Sequence, residues 1–181
     1  MRYFMGIDVG TNETKAVLID EKCEIVAFAS CGHDLLNPQP GFFEHDAEKT
    51  WWGDFCHLSR QLLAESGVDA KDVGCVGLSA LGCDCVPVDA EGTALCNAIL
   101  YGVDSRSHKE IEWLYAYYGK EEAERLYGHE LCSSDIAPKI LWVKNNLPDV
   151  YAKTAKFLTG SSYLCAKLTG KFTIDRYLAE D

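Results

Sequence analysis

Apolar residues run from Phe4 into Asp8 and Gly10 and resume at Ala16 to Ile19. This spacing predicts two β-strands joined by a tight, polar, glycine-bearing turn. Glu24 to Ser30 predicts a third strand, with Ile25, Ala27 and Ala29 on one side and Val26 and Phe28 on the other, so the chain opens as a β-meander. Residues 32 to 45 contain Asn37-Pro38-Gln39-Pro40-Gly41, which no helix or strand interior accepts, and are expected to be a surface loop. Asp46 then caps a helix that runs to about Ser66, with Trp52, Phe55, Cys56, Ser59, Leu62 and Leu63 on one face and Gly67 as its stop. That helix is expected to lie against the meander. Val73 to Ser79 is an apolar run of the kind expected for a buried strand, and a strand after a helix suggests a parallel crossover.

Cys85 to Asp89 predicts a further strand with a turn at Ala90-Glu91-Gly92, and Asn97 to Leu100 completes that region. The second half reads as helical. Segments run from Ser107 to Tyr118 (apolar stripe Ile111, Leu114, Tyr115, Tyr118), Lys120 to Tyr127, Ile136 to Asn146 and Asp149 to Thr154. Pro138 is tolerable only in a first turn, and Pro148 ends the third of these helices. Lys156 to Leu158 predicts a brief strand and Ser161 to Leu168 a helix stopped by Gly170. No repeat of solenoid period is present. Opening strands, a crossover helix, further strands and then helices fit an α/β domain of the ribonuclease H-like or actin-like ATPase kind, a mixed sheet with flanking helices; other mixed folds share the pattern.

At 181 residues and 48% hydrophobic content the chain can bury one well-packed core. A net charge of −11 argues against a nucleic-acid backbone or an anionic membrane as main partner. The nine cysteines follow no secreted scaffold pattern and lie mostly among apolar neighbours, so buried, reduced thiols are expected. Cys83-Asp84-Cys85 would place two sulfurs on one side of a strand, but no second pair or nearby histidine completes a zinc site. The chain starts straight into a core strand and has no apolar run near the ~20 residues that cross a bilayer. No signal peptide is read, and the cytoplasm is the expected compartment. The five histidines, His33, His45, His57, His108 and His129, show no spacing of a metal set or a nucleophile–base pair and read as structural.

The chemistry concentrates at the first turn. Gly10 can supply a positive φ or a close backbone approach, Thr11, Asn12 and Thr14 offer donors, and Lys15 adds a cation, a set that can hold a phosphate. Asp8 among these donors would repel a phosphate unless a divalent cation lies between them, which points to a metal–nucleotide site. The plain alternative is a hairpin whose Asp and Thr satisfy their own turn.

Several blocks resemble the amino-terminal part of the FGGY carbohydrate kinases, most closely the xylulokinase-type members. They are Gly6-Ile7-Asp8-Val9-Gly10-Thr11 with Lys15, Pro40-Gly41-Phe42-Phe43-Glu44-His45-Asp46 leading into Trp51-Trp52, and Val76-Gly77-Leu78-Ser79. The order continues through Asn97 to Arg106, Ala137-Pro138-Lys139-Ile140-Leu141-Trp142, and Tyr163 to Gly170, so the blocks cover nearly the whole chain. The resemblance implies a kinase that moves the γ-phosphoryl of ATP to a sugar or polyol hydroxyl between two actin-like domains, by positioning and charge neutralisation. It implies that Asp8 holds Mg²⁺ and that Gly10, Thr11, Asn12, Thr14 and Lys15 surround the phosphate. It further implies that Asp104 accepts hydrogen bonds from sugar hydroxyls, that Tyr101 walls the pocket, and that Gly82 and Cys83 border it. The structural alternative for Asp104 is a turn or N-cap role before Ser107.

One stretch departs from the family. Where xylulokinase-like members carry Gln-Met-His and glycerol kinases Gln-Arg-Glu, this chain reads Leu81-Gly82-Cys83, which removes partners for substrate hydroxyls; Asp84 offers partial compensation. Residues 1–181 are then expected to be an incomplete first domain of a two-domain kinase. Family members place the catalytic base and the adenine-binding domain beyond this length, so the isolated chain is expected to have negligible turnover. The partners implied are ATP and a small sugar or polyol, with a homodimer as the possible self-association. The alternatives are a non-catalytic, stand-alone sugar- or nucleotide-binding domain of the same fold, and a different actin-like ATPase sharing only the phosphate hairpin.

Overall fold

The computed structural model describes residues 2–180. Strands β1 (Tyr3–Val9), β2 (Glu13–Asp20) and β3 (Ile25–Gly32) pair antiparallel as the meander expected from their alternation. After the short β4 (Glu44–His45) and helix α1 (Gly53–Ser66), β5 (Val73–Ala80) returns alongside β1 in parallel, giving the order β3-β2-β1-β5. Period-two alternation decides which face is buried. Met5, Ile7, Val9, Ala16, Leu18 and Ala29 point to one side, where they pack with Trp51, Phe55, Leu58 and Leu62. Phe4, Val26 and Phe28 point to the other and remain exposed.

The helix expected to run unbroken from Asp46 starts instead with a π-helical segment, Ala47–Trp52, capped by Asp46 accepting from the Lys49 N–H at 3.0 Å. The wider turn shifts the angular position of the side chains. Trp51 enters the core, Trp52 stacks on Phe55 at its edge with ring centroids 5.2 Å apart, and Leu58, outside the predicted stripe, is fully buried. Gly67 ends α1 in the left-handed conformation, as its position suggested. The buried strand expected over Val73 to Ser79 is instead an edge strand: Gly74 to Gly77 are exposed, because β1 flanks one side and no strand flanks the other among the described residues.

The rest of the chain forms a second layer. Strand β6 (Val86–Val88) pairs with β8 (Lys156–Leu158), and β7 (Ala98–Ile99) pairs with β4. Between β7 and β8 lie α2 (His108–Tyr118), α3 (Lys120–Tyr127), α4 (Ile136–Asn146) and α5 (Pro148–Lys153). Helices α6 (Gly160–Thr169) and α7 (Arg176–Glu180) follow, the last of which the sequence pattern did not reveal. Pro148 starts α5 at its first position as well as ending α4. Tyr163 and Leu164 of α6 join the main core. Of the nine cysteines only Cys83 and Cys85 are buried, while Cys23, Cys75 and Cys132 are exposed, so burial of the set holds for a minority. No disulfide occurs and no helix is long and apolar enough to cross a membrane, among the described residues.

Candidate functional site

Two parallel neighbours, β1 and β5, end side by side, and the loops leaving them meet: the Leu81 N–H donates to the Val9 carbonyl at 3.1 Å. Ligands of open α/β sheets bind outside such carboxyl ends. The first loop is the turn Gly10–Asn12, closed by the Gly10 N–H donating to the Glu13 carbonyl at 3.0 Å. A Cβ on Gly10 would sit 3.0 Å from that same carbonyl, so close approach rather than positive φ demands glycine here. Asp8 is exposed at the end of β1, opposite Lys15 on β2 and Ser79 on β5. The three line an open cavity of about 360 Å³ whose other walls are mostly apolar. Lys15 pairs with Glu13 at 3.4 Å, a solvent-exposed contact of little energetic weight.

Thr14 does not join this mouth. Side chains alternate along β2, so Lys15 facing the cavity sends Thr14 to the core, where it is fully buried and donates its hydroxyl to Asp54 Oδ2 at 2.7 Å. Its role as a phosphate ligand is therefore corrected to one of support. The same Asp54 oxygen lies 2.8 Å from His33 Nδ1, and His33 Nε2 lies 3.1 Å from the Gly10 carbonyl. Beside it, His45 Nε2 lies 3.0 Å from the Thr11 carbonyl, and its Nδ1 accepts from the Trp51 indole N–H at 3.0 Å. Burial, helped by the charge of His33, pulls the His45 imidazole down to about 4. The two histidines, 33 and 45 in a chain where their spacing predicted nothing, have ring centroids 4.8 Å apart. The Glu44-His45-Asp46 block was the sequence signal; it does more than cap a helix.

The second loop carries Gly82, over which the Tyr101 ring lies about 3.7 Å from a would-be Cβ, an ordinary van der Waals distance. Cys83 is buried, which takes its side chain out of the pocket border expected for it; its carbonyl accepts from Lys139 Nζ at 2.8 Å. Lys139 also donates to the Ser134 carbonyl at 3.2 Å, and burial lowers its tendency to hold a proton. Asp84 is fully buried, with Oδ1 accepting from the Tyr101 N–H at 2.8 Å and Oδ2 without a donor among the described residues. Burial raises its carboxyl to about 7, against the Tyr101 hydrogen bond and the Lys139 charge.

Asp104 is 1% exposed. It accepts from the Phe43 N–H at 2.7 Å, from the Arg106 N–H at 3.0 Å, and from Arg106 Nη2 at 2.8 Å. Arg106 Nε at 2.9 Å is a fourth donor, so the Asp104 lone pairs are taken up by the protein, and of the structural alternatives the structure shows the turn role, Ser107 being the cap of α2. Arg106 bridges Asp104 to Glu44, at 2.9 Å, and lies over the rings of Phe42 and Trp142, 4.2 and 4.8 Å from their centroids. Arg106 and Lys139 were not singled out in the sequence; an Arg two residues after an Asp is the one local sign of the first. Among the described residues no group of three or more His, Cys, Asp or Glu could hold a metal ion. A lone carboxylate with hydroxyl neighbours instead suits Mg²⁺, which keeps waters and phosphate oxygens as its other ligands.

Comparison with known proteins agrees with this geometry. The family model described as "FGGY family of carbohydrate kinases, N-terminal domain" matches residues 3–180. Xylulose kinase of Bacillus subtilis (strain 168) is 28% identical over 170 residues, covering 94% of this chain and 34% of that protein. Glycerol kinase 1 of Saccharolobus solfataricus is 30% identical, covering 97% of this chain and 35% of its own length. Among solved structures, xylulose kinase from Rhodospirillum rubrum superposes with a TM-score of 0.88 at 25% identity over 99% of this chain and 36% of that one. The chain therefore spans about a third of the length of the relatives it matches. By its actin-like fold, its block order and the match over nearly its whole length, the chain belongs to the FGGY family of carbohydrate kinases, of which it represents the N-terminal domain.

Proposed function

We propose that this chain is the phosphate- and substrate-binding portion of an ATP-dependent kinase acting on a sugar or polyol in the cytoplasm. The observation that carries the reading is the juxtaposition of two loops at the carboxyl ends of β1 and β5, one presenting Asp8, Gly10, Thr11, Asn12 and Lys15, the other Gly82 beneath Tyr101. Backbone amides of the turn and the Lys15 ammonium suit the γ-phosphate, while Asp8 suits a Mg²⁺ ion that arrives with the nucleotide and supplies charge neutralisation. Tyr101, 43% exposed, offers a face for the carbon skeleton of a sugar. Leu81-Gly82-Cys83 offers few hydroxyl partners, which favours a substrate other than xylulose or glycerol.

Phosphoryl transfer needs a general base for the attacking hydroxyl, and the residues here hold and orient rather than supply one. The 181-residue chain is thus expected to bind Mg-ATP weakly and to give no sugar-dependent ADP release in a coupled assay. The decisive measurement is a titration of the ¹⁵N-labelled chain with Mg-ATP, following the Thr11 and Asn12 amides. Shifts of these amides that vanish in Asp8→Asn support the reading, and their absence at millimolar Mg-ATP overturns it. Turnover by the isolated chain would overturn the division of labour.

A further inference from the structure

His33 and His45 take no direct part in the function proposed above, yet both end on the phosphate turn. Two oxygens flank the His33 ring. Its Nδ1 meets a carboxylate oxygen of Asp54 at 2.8 Å and its Nε2 meets the Gly10 carbonyl at 3.1 Å. The Gly10 carbonyl can only accept, so Nε2 carries a proton and donates to it. In His45, Nδ1 accepts the Trp51 indole proton, which leaves one proton, on Nε2, donated to the Thr11 carbonyl. We propose that His33, held in place by Asp54, and His45, held by Trp51, are positioning residues that clamp the Gly10 and Thr11 carbonyls and thereby aim the Thr11 and Asn12 amides at the phosphate.

The aiming follows from peptide geometry. In a planar trans peptide the C=O of one residue and the N–H of the next point in opposite directions. Pulling the Gly10 carbonyl toward His33 turns the Thr11 N–H away from it, and pulling the Thr11 carbonyl toward His45 does the same for the Asn12 N–H. The support is anchored from three elements. Asp54 lies on α1, Thr14 on β2 binds the same Asp54 oxygen, and His45 on β4 is fixed by Trp51. The other titratable groups around the ring are Glu13 on β2, whose carboxyl is lowered chiefly by a hydrogen bond from Ser30, and Cys31 on β3, whose thiol is pushed up to about 11 by burial and then by Asp54. The clamp rests on the phosphate reading of the turn only for its purpose, not for its geometry.

Two measurements on the 181-residue chain test it. In ¹⁵N-detected imidazole spectra, His33 and His45 should each show a protonated Nε2; a bare Nε2 on either ring overturns the proposal. The second compares two variants. In His33→Gln the amide reaches the position of Nε2 and keeps the Gly10 bond, whereas in His33→Asn it reaches only the position of Nδ1 and keeps the Asp54 bond. H33Q should respond to Mg-ATP within about threefold of wild type and H33N about tenfold more weakly, the scale of one hydrogen bond. Equal responses from H33N and wild type overturn the clamp. If the wild type itself fails to respond, the phosphate reading falls, and backbone order from ¹⁵N relaxation judges the clamp alone. Loss of order at Gly10–Asn12 in H33N but not H33Q then supports it, and equal order in both overturns it.

Discussion

Replacing Asp84 by Asn should change stability in a way that grows more favourable as pH rises, with a net gain above neutral pH. The wild-type carboxyl is fully buried, and among the described residues one of its oxygens has a donor, the Tyr101 N–H, and the other has none. Burial displaces it from an ordinary 3.8 to about 7. At about 1.4 kcal/mol per pH unit, keeping it ionised in the fold costs roughly 4 kcal/mol. Below about pH 4 that cost is absent, because the group is protonated in folded and unfolded chains alike. As pH rises, the unfolded carboxyl ionises while the folded one keeps its proton, so stability is lost progressively until about pH 7 and then levels off. In D84N the side-chain oxygen still accepts from Tyr101 and nothing ionises, at the expense of one N–H without a partner, on the order of 1–3 kcal/mol at every pH. The stability of D84N relative to wild type should therefore rise by roughly 3 kcal/mol between pH 5 and pH 8. Urea unfolding followed by tryptophan fluorescence at four pH values measures it, with buried Trp51 as reporter. A difference that does not change with pH, or one that turns against D84N at pH 8, would refute the reasoning. Either result would mean that Asp84 is carried ionised against Lys139.

Further outcomes follow from the same geometry. Arg106→Lys keeps the charge but loses the two-pronged bond to Asp104 and the planar contact with the Phe42 and Trp142 rings, and should cost about 2–4 kcal/mol in denaturant melts; a loss below about 0.5 kcal/mol would remove Arg106 from the core network. Thr14→Val removes one donor from Asp54 and should cost about 1–2 kcal/mol while the Mg-ATP response of the turn persists, which an NMR titration checks. Gly41 has φ +81 and its would-be Cβ lies 2.7 Å from Ser105 Oγ, so Gly41→Ala should lose about 1–2 kcal/mol, read as a lower melting temperature. Calorimetry of the isolated chain should give a Mg-ATP dissociation constant no tighter than micromolar; submicromolar binding would show that this half of the site is sufficient by itself.

Much of the fold was legible because its rules are local. Alternation in Phe4 to Ile19 set the hairpin, Gly67 and Gly170 stopped their helices in left-handed caps, and Pro138 and Pro148 fell where a helix's first turn tolerates them. Misreadings came where a neighbour decides. The run at Val73 to Ala80 has strand composition wherever it sits in a sheet, and only the absence of a strand beyond it, among the described residues, makes it an edge. Cysteines among apolar neighbours can still surface, as Cys75 does on that edge.

The candidate site divides the same way. The sequence by itself determined the turn between β1 and β2, since strand ends and turn geometry that a few consecutive residues define place Asp8, Gly10 and Lys15. Only the tertiary structure decided what stands behind and around it. His33, His45 and Asp54 come from separate elements and converge on the carbonyls of Gly10 and Thr11, and no spacing along the chain encodes that meeting. Burial has the same origin: Asp84 and Asp104 are both carboxylates near a turn, and packing leaves one with an unmatched oxygen while it saturates the other with Arg106 and the Phe43 amide. A hydrogen-bonding role depends on which atoms lie within about 3 Å, and long-range contacts set that distance after local rules have placed the elements.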